Sequence, residues 1–192
     1  MQDDEFEPST PRYLTEGAKA PSFEFADREG KLVSSRELLR DGPAVLTFYR
    51  GAWCDCCKSD LCDLARTTPR LREVGASVLG IFNELAPEAN ARIEQTYALE
   101  FPLVNDVNGL AAQGFGVRRN AAEMARIEDE FGPELLALKE GQPWILPMQA
   151  RFVVGPDGVI AKSEVLFNYG ERSDAAALLP VLKKLTADGG SG

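Results

Sequence analysis

The chain has 192 residues, of which 44% are hydrophobic and 27% are charged, and its formal net charge is −9. This length predicts one domain with a sizeable core, and the negative charge disfavours binding to nucleic acid. No apolar stretch approaches the roughly 20 residues that cross a bilayer, and the acidic start lacks the pattern of a signal peptide. We therefore expect a cytoplasmic protein. Histidine is absent from the sequence, which excludes a Cys–His dyad, a Ser–His–Asp triad and mixed Cys/His metal sites.

The first half of the chain predicts strands that alternate with helices. A flexible acidic arm is expected over residues 1–16, followed by a single domain over residues 17–186. Within the domain, alternating or continuous apolar runs predict strands, and apolar residues at helical spacing predict helices. The predicted order is a strand at 21–25, a turn into 32–33, a capped helical turn after Ser34, a buried strand at 44–49, a helix from the cysteines to about Arg72, a strand at 77–82 and a helix at 87–97.

The second half predicts a short strand at 101–104, a helical turn at 109–114 and a helix at 175–185. A charged, helix-like segment at 120–139 is expected on the surface as an insertion, and residues 151–161 predict a hairpin around a Gly-Pro-Asp-Gly turn. Residues 187–192 are expected to form a flexible tail. Strands alternating with helices and then a hairpin predict an α/β fold, with a mixed sheet covered by helices on both faces.

All four cysteines lie close together, directly after the buried strand: Cys54, Cys56, Cys57 and Cys62. In a helix that begins at this cluster, the Cα atoms of Cys54 and Cys57 lie roughly 5 Å apart, within disulfide range. Those of Cys57 and Cys62 lie roughly 8 to 9 Å apart, so a disulfide between them requires the first turn to unwind. The helix N-terminus also lowers the pKa of the Cys54 thiol. The spacing favours Cys54–Cys57 as the redox pair.

Other interpretations of the cluster stay open. Cys62 fits either a small buried residue or a resolving cysteine, and Cys56 fits a bystander. Four thiolates can also hold zinc or an iron–sulfur cluster, but structural zinc usually draws on two separated cysteine knuckles and this chain has one. We therefore expect no metal. Arg50 is the best candidate to stabilise a thiolate, and Asp55 is expected to oppose it.

Two stretches of the sequence resemble a known family. They are Gly17-x-x-Ala-Pro-x-Phe-x-Phe with Val45-Leu-Thr-Phe-Tyr-Arg-Gly-x-Trp-Cys-x-x-Cys, and Trp144-x-Leu-Pro-Met-x-Ala-x-Phe-Val-Val-x-x-Asp-Gly-Val-Ile. Both resemble the alkyl hydroperoxide reductase/thiol-specific antioxidant branch of the thioredoxin superfamily, in particular its peroxiredoxin-like subgroup. The resemblance runs from about Gly17 to Leu185. It implies a thioredoxin fold with the N-terminal extension that is typical of peroxiredoxins.

The resemblance implies two alternative roles for the cysteine pair. In the peroxiredoxin alignment, Cys57 takes the peroxidatic position, Cys54 replaces a threonine or serine, Arg50 replaces a proline, and Cys62 has the spacing of a resolving cysteine. In the thioredoxin alignment, Cys54 is the attacking thiol, Cys57 is its buried partner, and Trp53 is the flanking aromatic residue.

Three positions depart from these family patterns. Gln149 stands where peroxiredoxins have an arginine, and Arg151 lies nearby. Thr47 stands where thioredoxins have a buried acid, so that proton acceptor is missing. Pro147 lies two to three residues before the usual cis-proline, so we do not count on a cis bond there.

These patterns together predict a thiol-dependent redox enzyme without a cofactor, either a peroxide reductase or a thiol–disulfide oxidoreductase. The expected catalytic residues are Cys54, Cys57, Cys62 and Arg50, and the expected substrate-binding residues are Trp53, Tyr49 and Pro147. The substrate is a peroxide or a protein disulfide, the electron donor is a dithiol such as a thioredoxin or glutaredoxin system, and a homodimer is a candidate assembly. The alternative is a thiolate metal-binding or redox-sensing protein without turnover.

Overall fold

The computed structural model describes residues 12–83, 87–120, 122–127, 129–130, 146–167, 171 and 173–189. A five-stranded sheet lies at the centre. Its strands are β3 (Ala44–Tyr49), β4 (Ser77–Phe82), β5 (Leu103–Asn105), β6 (Gln149–Val154) and β7 (Ile160–Leu166). They lie in the order β5-β4-β3-β6-β7; the first three are parallel, and β6 and β7 run antiparallel to their neighbours.

Helices cover both faces of this sheet, which confirms the predicted mixed α/β fold. One face packs against α2 (Asp55–Glu73), α3 (Pro87–Thr96) and the C-terminal helix (Leu179–Gly189), which follows a 3-10 turn at Ala175–Leu178. The other face packs against α4 (Leu110–Gly114) and the N-terminal segment. Among the described residues, no helix combines the length and the apolar character needed to span a membrane.

The N-terminal segment forms a small hairpin of β1 (Glu24–Ala26) and β2 (Leu32–Ser34), followed by the short helix α1 (Ser35–Leu38). The Ser34 side chain accepts a hydrogen bond from the Glu37 N–H at 3.2 Å, which confirms the predicted helix cap. Residues 12–16 of the predicted arm contact the domain, because the Leu14 N–H donates to the Phe115 carbonyl at 3.1 Å. The remainder of that arm lies outside the described residues.

Two other segments differ from the sequence prediction. Residues 122–127 and 129–130, within the charged segment expected on the surface, are helical and bury Met124 and Ile127. These two side chains and Leu146 form a small apolar cluster against Trp53. This part of the predicted insertion is therefore packed onto the domain, and residues 131–139 lie outside the described chain. The C-terminal helix ends at Gly189, beyond the predicted domain limit at 186.

Candidate active site

The cysteine cluster lies where the central strand β3 leads into α2. All six residues of β3 are buried, as the continuous apolar run predicts. The chain then turns at Gly51, whose φ of 149° favours glycine, and the Cys54 N–H donates to the Gly51 carbonyl at 3.2 Å. Cys54 has an extended backbone and caps α2. The strand and this turn thus fix the first thiol at the start of the helix.

Cys54 and Cys57 form one geometrical unit, as the spacing predicts. The Cys57 N–H points at the Cys54 sulfur at 3.2 Å, so the thiol takes the place that a serine or aspartate side chain usually has at a helix cap. Both residues are buried, with only 1% of their surface exposed, and all four cysteines are free thiols. The side chains of Cys54 and Cys57 therefore lie in the protein interior.

The two thiols of this unit have opposite electrostatic environments. Hydrogen bonding from Cys57, followed by the positive charge of Arg50, lowers the pKa of Cys54 from 9.0 to about 6 although burial opposes the change. Burial and the proximity of Cys54 raise the pKa of Cys57 well above its ordinary value. Near neutral pH, Cys54 is thus the thiolate and Cys57 the thiol.

Arg50 and Asp55, two charged residues next to the pair, differ in burial. Arg50 is buried, with 3% of its surface exposed, and its charge favours the Cys54 thiolate. Asp55, which was expected to oppose the thiolate, has an exposed carboxylate at 2.6 Å from the Lys58 amine. The carboxylate therefore lies at the surface, where solvent and Lys58 screen its charge, and its opposition to the thiolate stays a prediction.

Gln149 is the polar neighbour of the second thiol. It lies at the start of β6 and is 4% exposed. Its Oε1 atom is 3.8 Å from the Cys57 sulfur, which donates the hydrogen bond as a thiol. Its Nε2 atom is buried without a hydrogen-bond partner in the part of the chain that the structure describes. Gln149, which stands where peroxiredoxins have an arginine, therefore contacts the sulfur of Cys57, a candidate reactive residue.

A buried ion pair lies one helical turn after Cys57. The Arg151 guanidinium donates to Asp60 Oδ2 at 2.7 Å, and both side chains are 2% exposed. The Tyr49 hydroxyl donates to the same oxygen at 2.8 Å. Burial raises the pKa of Asp60, although Arg151 and Tyr49 favour its charged form.

This ion pair continues toward β7. The second Arg151 nitrogen donates to the Ser173 hydroxyl at 2.6 Å, and that hydroxyl donates to the Glu164 carboxylate. Glu164 also lies directly opposite Arg151 in the pairing of β6 and β7. We call Tyr49, Asp60, Arg151, Ser173 and Glu164 the polar network. It links α2 to three strands of the sheet, because its members lie on β3, α2, β6, β7 and the segment after β7.

The remaining predicted site residues lie around this core. Trp53 packs against the apolar cluster of Met124, Ile127 and Leu146. Cys56 and Cys62 are partly exposed, and α2 is continuous past Cys62, so the structure does not bring Cys62 onto Cys57.

Two of the predicted substrate-binding residues face the protein interior. Tyr49 is fully buried and directs its hydroxyl to Asp60, so its described side-chain hydrogen bond belongs to the polar network. Pro147 is buried beside Phe48 and Asp106. No cis peptide bond occurs among the described residues.

Sequence reasoning missed Asp60 as a site residue. Cys57, Leu61, Leu64 and Leu71 lie on the buried face of α2, and Asp60 follows Cys57 at the i,i+3 spacing that places it on the same face. A carboxylate among these apolar residues is the sequence signal that could have identified Asp60.

Thr47 stands where thioredoxins have a buried acid, and its hydroxyl donates to the Ala150 carbonyl at 3.4 Å. Among the described residues, no group of three or more Cys, Asp or Glu side chains could hold a metal ion.

The mixed sheet, the helices on its two faces and the dithiol at the start of α2 define a thioredoxin-like protein. Residues 17–163 match the AhpC/TSA family, and the chain belongs to that family. The Mycobacterium tuberculosis protein named putative peroxiredoxin Rv1608c is 32% identical over 103 residues, which are 54% of this chain and 66% of that protein. The Bacillus anthracis thiol-disulfide oxidoreductase ResA is 26% identical over 101 residues, 53% of this chain and 57% of ResA. The chain thus spans just under two thirds of the first relative's length.

Solved structures with the same fold cover more of the chain. Peroxidoxin BcpB from Mycobacterium tuberculosis superposes with a TM-score of 0.69 at 25% identity, over 91% of this chain and 98% of BcpB. AhpC from Enterococcus faecalis superposes with a TM-score of 0.68 at 21% identity, over 93% of this chain and 97% of AhpC. These similarities confirm the thioredoxin-like fold that the sequence predicted.

Proposed function

We propose that this protein is a thiol-dependent oxidoreductase that cycles Cys54 and Cys57 between a dithiol and a disulfide, with Cys54 as the attacking thiolate. The observation that supports this most is the position of Cys54 as the cap of α2, where the Cys57 N–H points at its sulfur. A thiol with a pKa of about 6 is largely deprotonated at neutral pH. This proposal reverses the peroxidatic role that the peroxiredoxin alignment implies for Cys57.

A small peroxide is the substrate class that we propose. Because Cys54 and Cys57 are each 1% exposed, the disulfide of a folded protein reaches their sulfurs only if the site opens, whereas a hydroperoxide needs far less room. The Cys54 thiolate attacks the terminal oxygen of the peroxide, so an S–O bond forms and the O–O bond breaks. The departing oxygen takes up the proton that left Cys54 and leaves as water or an alcohol. Cys54 becomes a sulfenic acid.

Cys57 completes the oxidation in this proposal. Its sulfur attacks the Cys54 sulfur, so an S–S bond forms, the S–O bond breaks, and hydroxide leaves as water with the Cys57 proton. An external dithiol, such as a thioredoxin or glutaredoxin system, then reduces the disulfide by thiol–disulfide exchange. Cys62 has no required step, because α2 is continuous between Cys57 and Cys62. The proposed setting is a reducing cytoplasm, with the domain limits 17–186 and a homodimer kept as predictions.

Reduction of protein disulfides is the second candidate function. The order of the two cysteines supports it, because a low-pKa cysteine followed three residues later by a buried partner is the arrangement implied by the thioredoxin alignment. Similarity to a relative named thiol-disulfide oxidoreductase also supports it. This activity requires the site to open further than peroxide reduction does.

Peroxide consumption with a reduced dithiol donor tests the proposal. We expect Cys54→Ser to lower turnover by about a thousandfold or more, since it removes the nucleophile. The matched control, Cys56→Ser, is expected to stay within about twofold. Because the thiolate is the reactive form and its pKa is lowered, the rate constant of the first step should rise with pH around a midpoint near 6.

Three outcomes would contradict parts of this proposal. Full peroxide turnover in Cys54→Ser would exclude Cys54 as the attacking group. A pH midpoint near 9 would show that the thiol is not activated. Reduction of insulin disulfides that depends on Cys54, without any peroxide consumption, would replace the first candidate with the second.

A further inference from the structure

The carboxamide of Gln149 has two polar ends and a hydrogen-bond partner at one of them. Its Oε1 atom accepts from the Cys57 thiol at 3.8 Å, and its buried Nε2 atom finds no partner in the described part of the chain. A buried donor without a partner costs free energy, and native proteins rarely keep one without a reason. With 4% of its surface exposed, Gln149 cannot satisfy this donor by turning into bulk water.

The two ends of the carboxamide suit the two protonation states of Cys57. The carbonyl oxygen accepts from a thiol, whereas the amide nitrogen donates to a thiolate. Oxygen and nitrogen ends have nearly the same shape, so a half-turn of the amide exchanges them with little repacking. A neutral amide can therefore stabilise either state of the sulfur, which neither a carboxylate nor an apolar side chain can do.

We propose that Gln149 controls the protonation of Cys57: its Oε1 atom accepts from the thiol once the S–H no longer donates to the Cys54 thiolate, and its Nε2 atom donates to the thiolate when Cys57 attacks. This inference rests on the proposed function and deepens it. In the closing step, Cys57 loses its proton, the amide turns, and the thiolate attacks the sulfenic Cys54. The S–S bond forms, the S–O bond breaks, and the released hydroxide takes up the proton to give water.

Other charged groups around Cys57 set the background for this exchange. Cys54 and Arg50 act on it directly, since the Cys54 side chain favours the thiol and the Arg50 charge favours the thiolate. Asp60 lies one turn further along α2 and is paired with Arg151 and Tyr49 from β6 and β3. Gln149 adds no charge to this set, so it changes the thiol–thiolate balance through hydrogen bonding alone.

Two substitutions separate the roles of the carboxamide. Gln149→Met keeps a side chain of similar length and removes both polar ends. Gln149→Glu keeps the length and an acceptor but has no donor, and it adds a negative charge. The direct readout is the thiolate absorbance of Cys57 against pH, in a background with Cys54→Ser, Cys56→Ser and Cys62→Ser, where Cys57 is the only thiol. We expect the thiolate absorbance of Cys57 to appear at a pH about one unit higher in Gln149→Met than in the background protein, the effect of losing one hydrogen bond to a charged group, and at a still higher pH in Gln149→Glu.

The kinetic readout uses the chain with all four cysteines. After one equivalent of hydrogen peroxide, rapid quenching with a sulfenate trap measures formation and loss of the Cys54 sulfenic acid. We expect the ratio of disulfide closure to sulfenate formation to fall about tenfold in Gln149→Met, with closure shifted to higher pH. A ratio within twofold of wild type and an unchanged Cys57 titration in both variants would overturn the inference. If the wild-type protein itself forms no sulfenate on Cys54, the proposed function fails instead.

Discussion

The two faces of the central sheet differ in chemistry, although the same two strands supply both. On one face, Phe48 and Phe152 pack with Phe115, with ring centroids 4.8 to 6.0 Å apart. On the other face, Tyr49 and Arg151, their neighbours in sequence, belong to the polar network. Because side chains alternate along a strand, one face forms an apolar scaffold while the other carries the groups that border the dithiol.

The buried charges of the polar network thus lie on the face of the sheet that borders the dithiol. A buried ion pair costs desolvation free energy, and apolar residues of similar volume often replace one without loss of stability. The polar network therefore needs a reason other than stability, and its position one turn after Cys57 suggests that it holds the start of α2 in register with the sheet. Three changes test how far the faces differ.

Breaking the polar network should have the largest effect on stability. Arg151→Met leaves the Asp60 carboxylate buried without its counter-charge, so we expect a loss of about 3–5 kcal/mol in the free energy of unfolding at pH 7. Burial raises the pKa of Asp60 even in the intact network. The loss should therefore shrink as the pH falls and the folded variant takes up a proton at Asp60.

Urea unfolding at pH 5 and pH 7 measures this effect. The exposed Arg70 supplies a matched control, because Arg70→Met should change stability by less than about 0.5 kcal/mol. A loss below about 1 kcal/mol for Arg151→Met would show that the ion pair is not a structural link.

A change on the apolar face should affect stability without affecting the thiols. Phe152→Leu removes part of a fully buried ring, and we expect it to cost about 1–2 kcal/mol. Since Phe152 points away from the cysteines, the pH midpoint of peroxide reactivity should stay near 6. A shift of that midpoint by more than about half a pH unit would contradict the division between the faces.

The smallest expected effect concerns the polar face of the sheet and is a change in the thiolate fraction of Cys54. Cys57→Ala removes the side chain whose hydrogen bond contributes most to the lowered pKa of Cys54, whereas Cys57→Ser keeps a donor. We expect the Cys54 thiolate fraction at pH 6 to fall several-fold in the alanine variant and to change little in the serine variant. Thiolate absorbance in a Cys56→Ser, Cys62→Ser background measures both. Equal titrations of the two variants would assign the low pKa to the helix N-terminus and Arg50 alone.

Much of the fold and half of the site could be predicted from the sequence. The buried strand at 44–49, the helix cap at Ser34 and the pairing of Cys54 with Cys57 each depend on local spacing, which a sequence carries directly. The contact of Gln149 with Cys57 and the ion pair of Asp60 with Arg151 join residues about 90 positions apart. Their partners depend on the register of β3 against β6, which local patterns do not specify. Local patterns likewise do not predict the hydrogen bond from Tyr49 to Asp60.

Mapping the first disulfide tests the central claim most directly. Tryptic cleavage after Arg50, Lys58 and Arg66 leaves Cys54 and Cys57 on one peptide and Cys62 on the next, and Cys56→Ser removes the remaining ambiguity. After one equivalent of hydrogen peroxide, we predict a loop within the peptide 51–58 and a free thiol at Cys62. A cross-link between the peptides 51–58 and 59–66 would contradict the account, because it places Cys62 in the first disulfide instead of the pair Cys54 and Cys57.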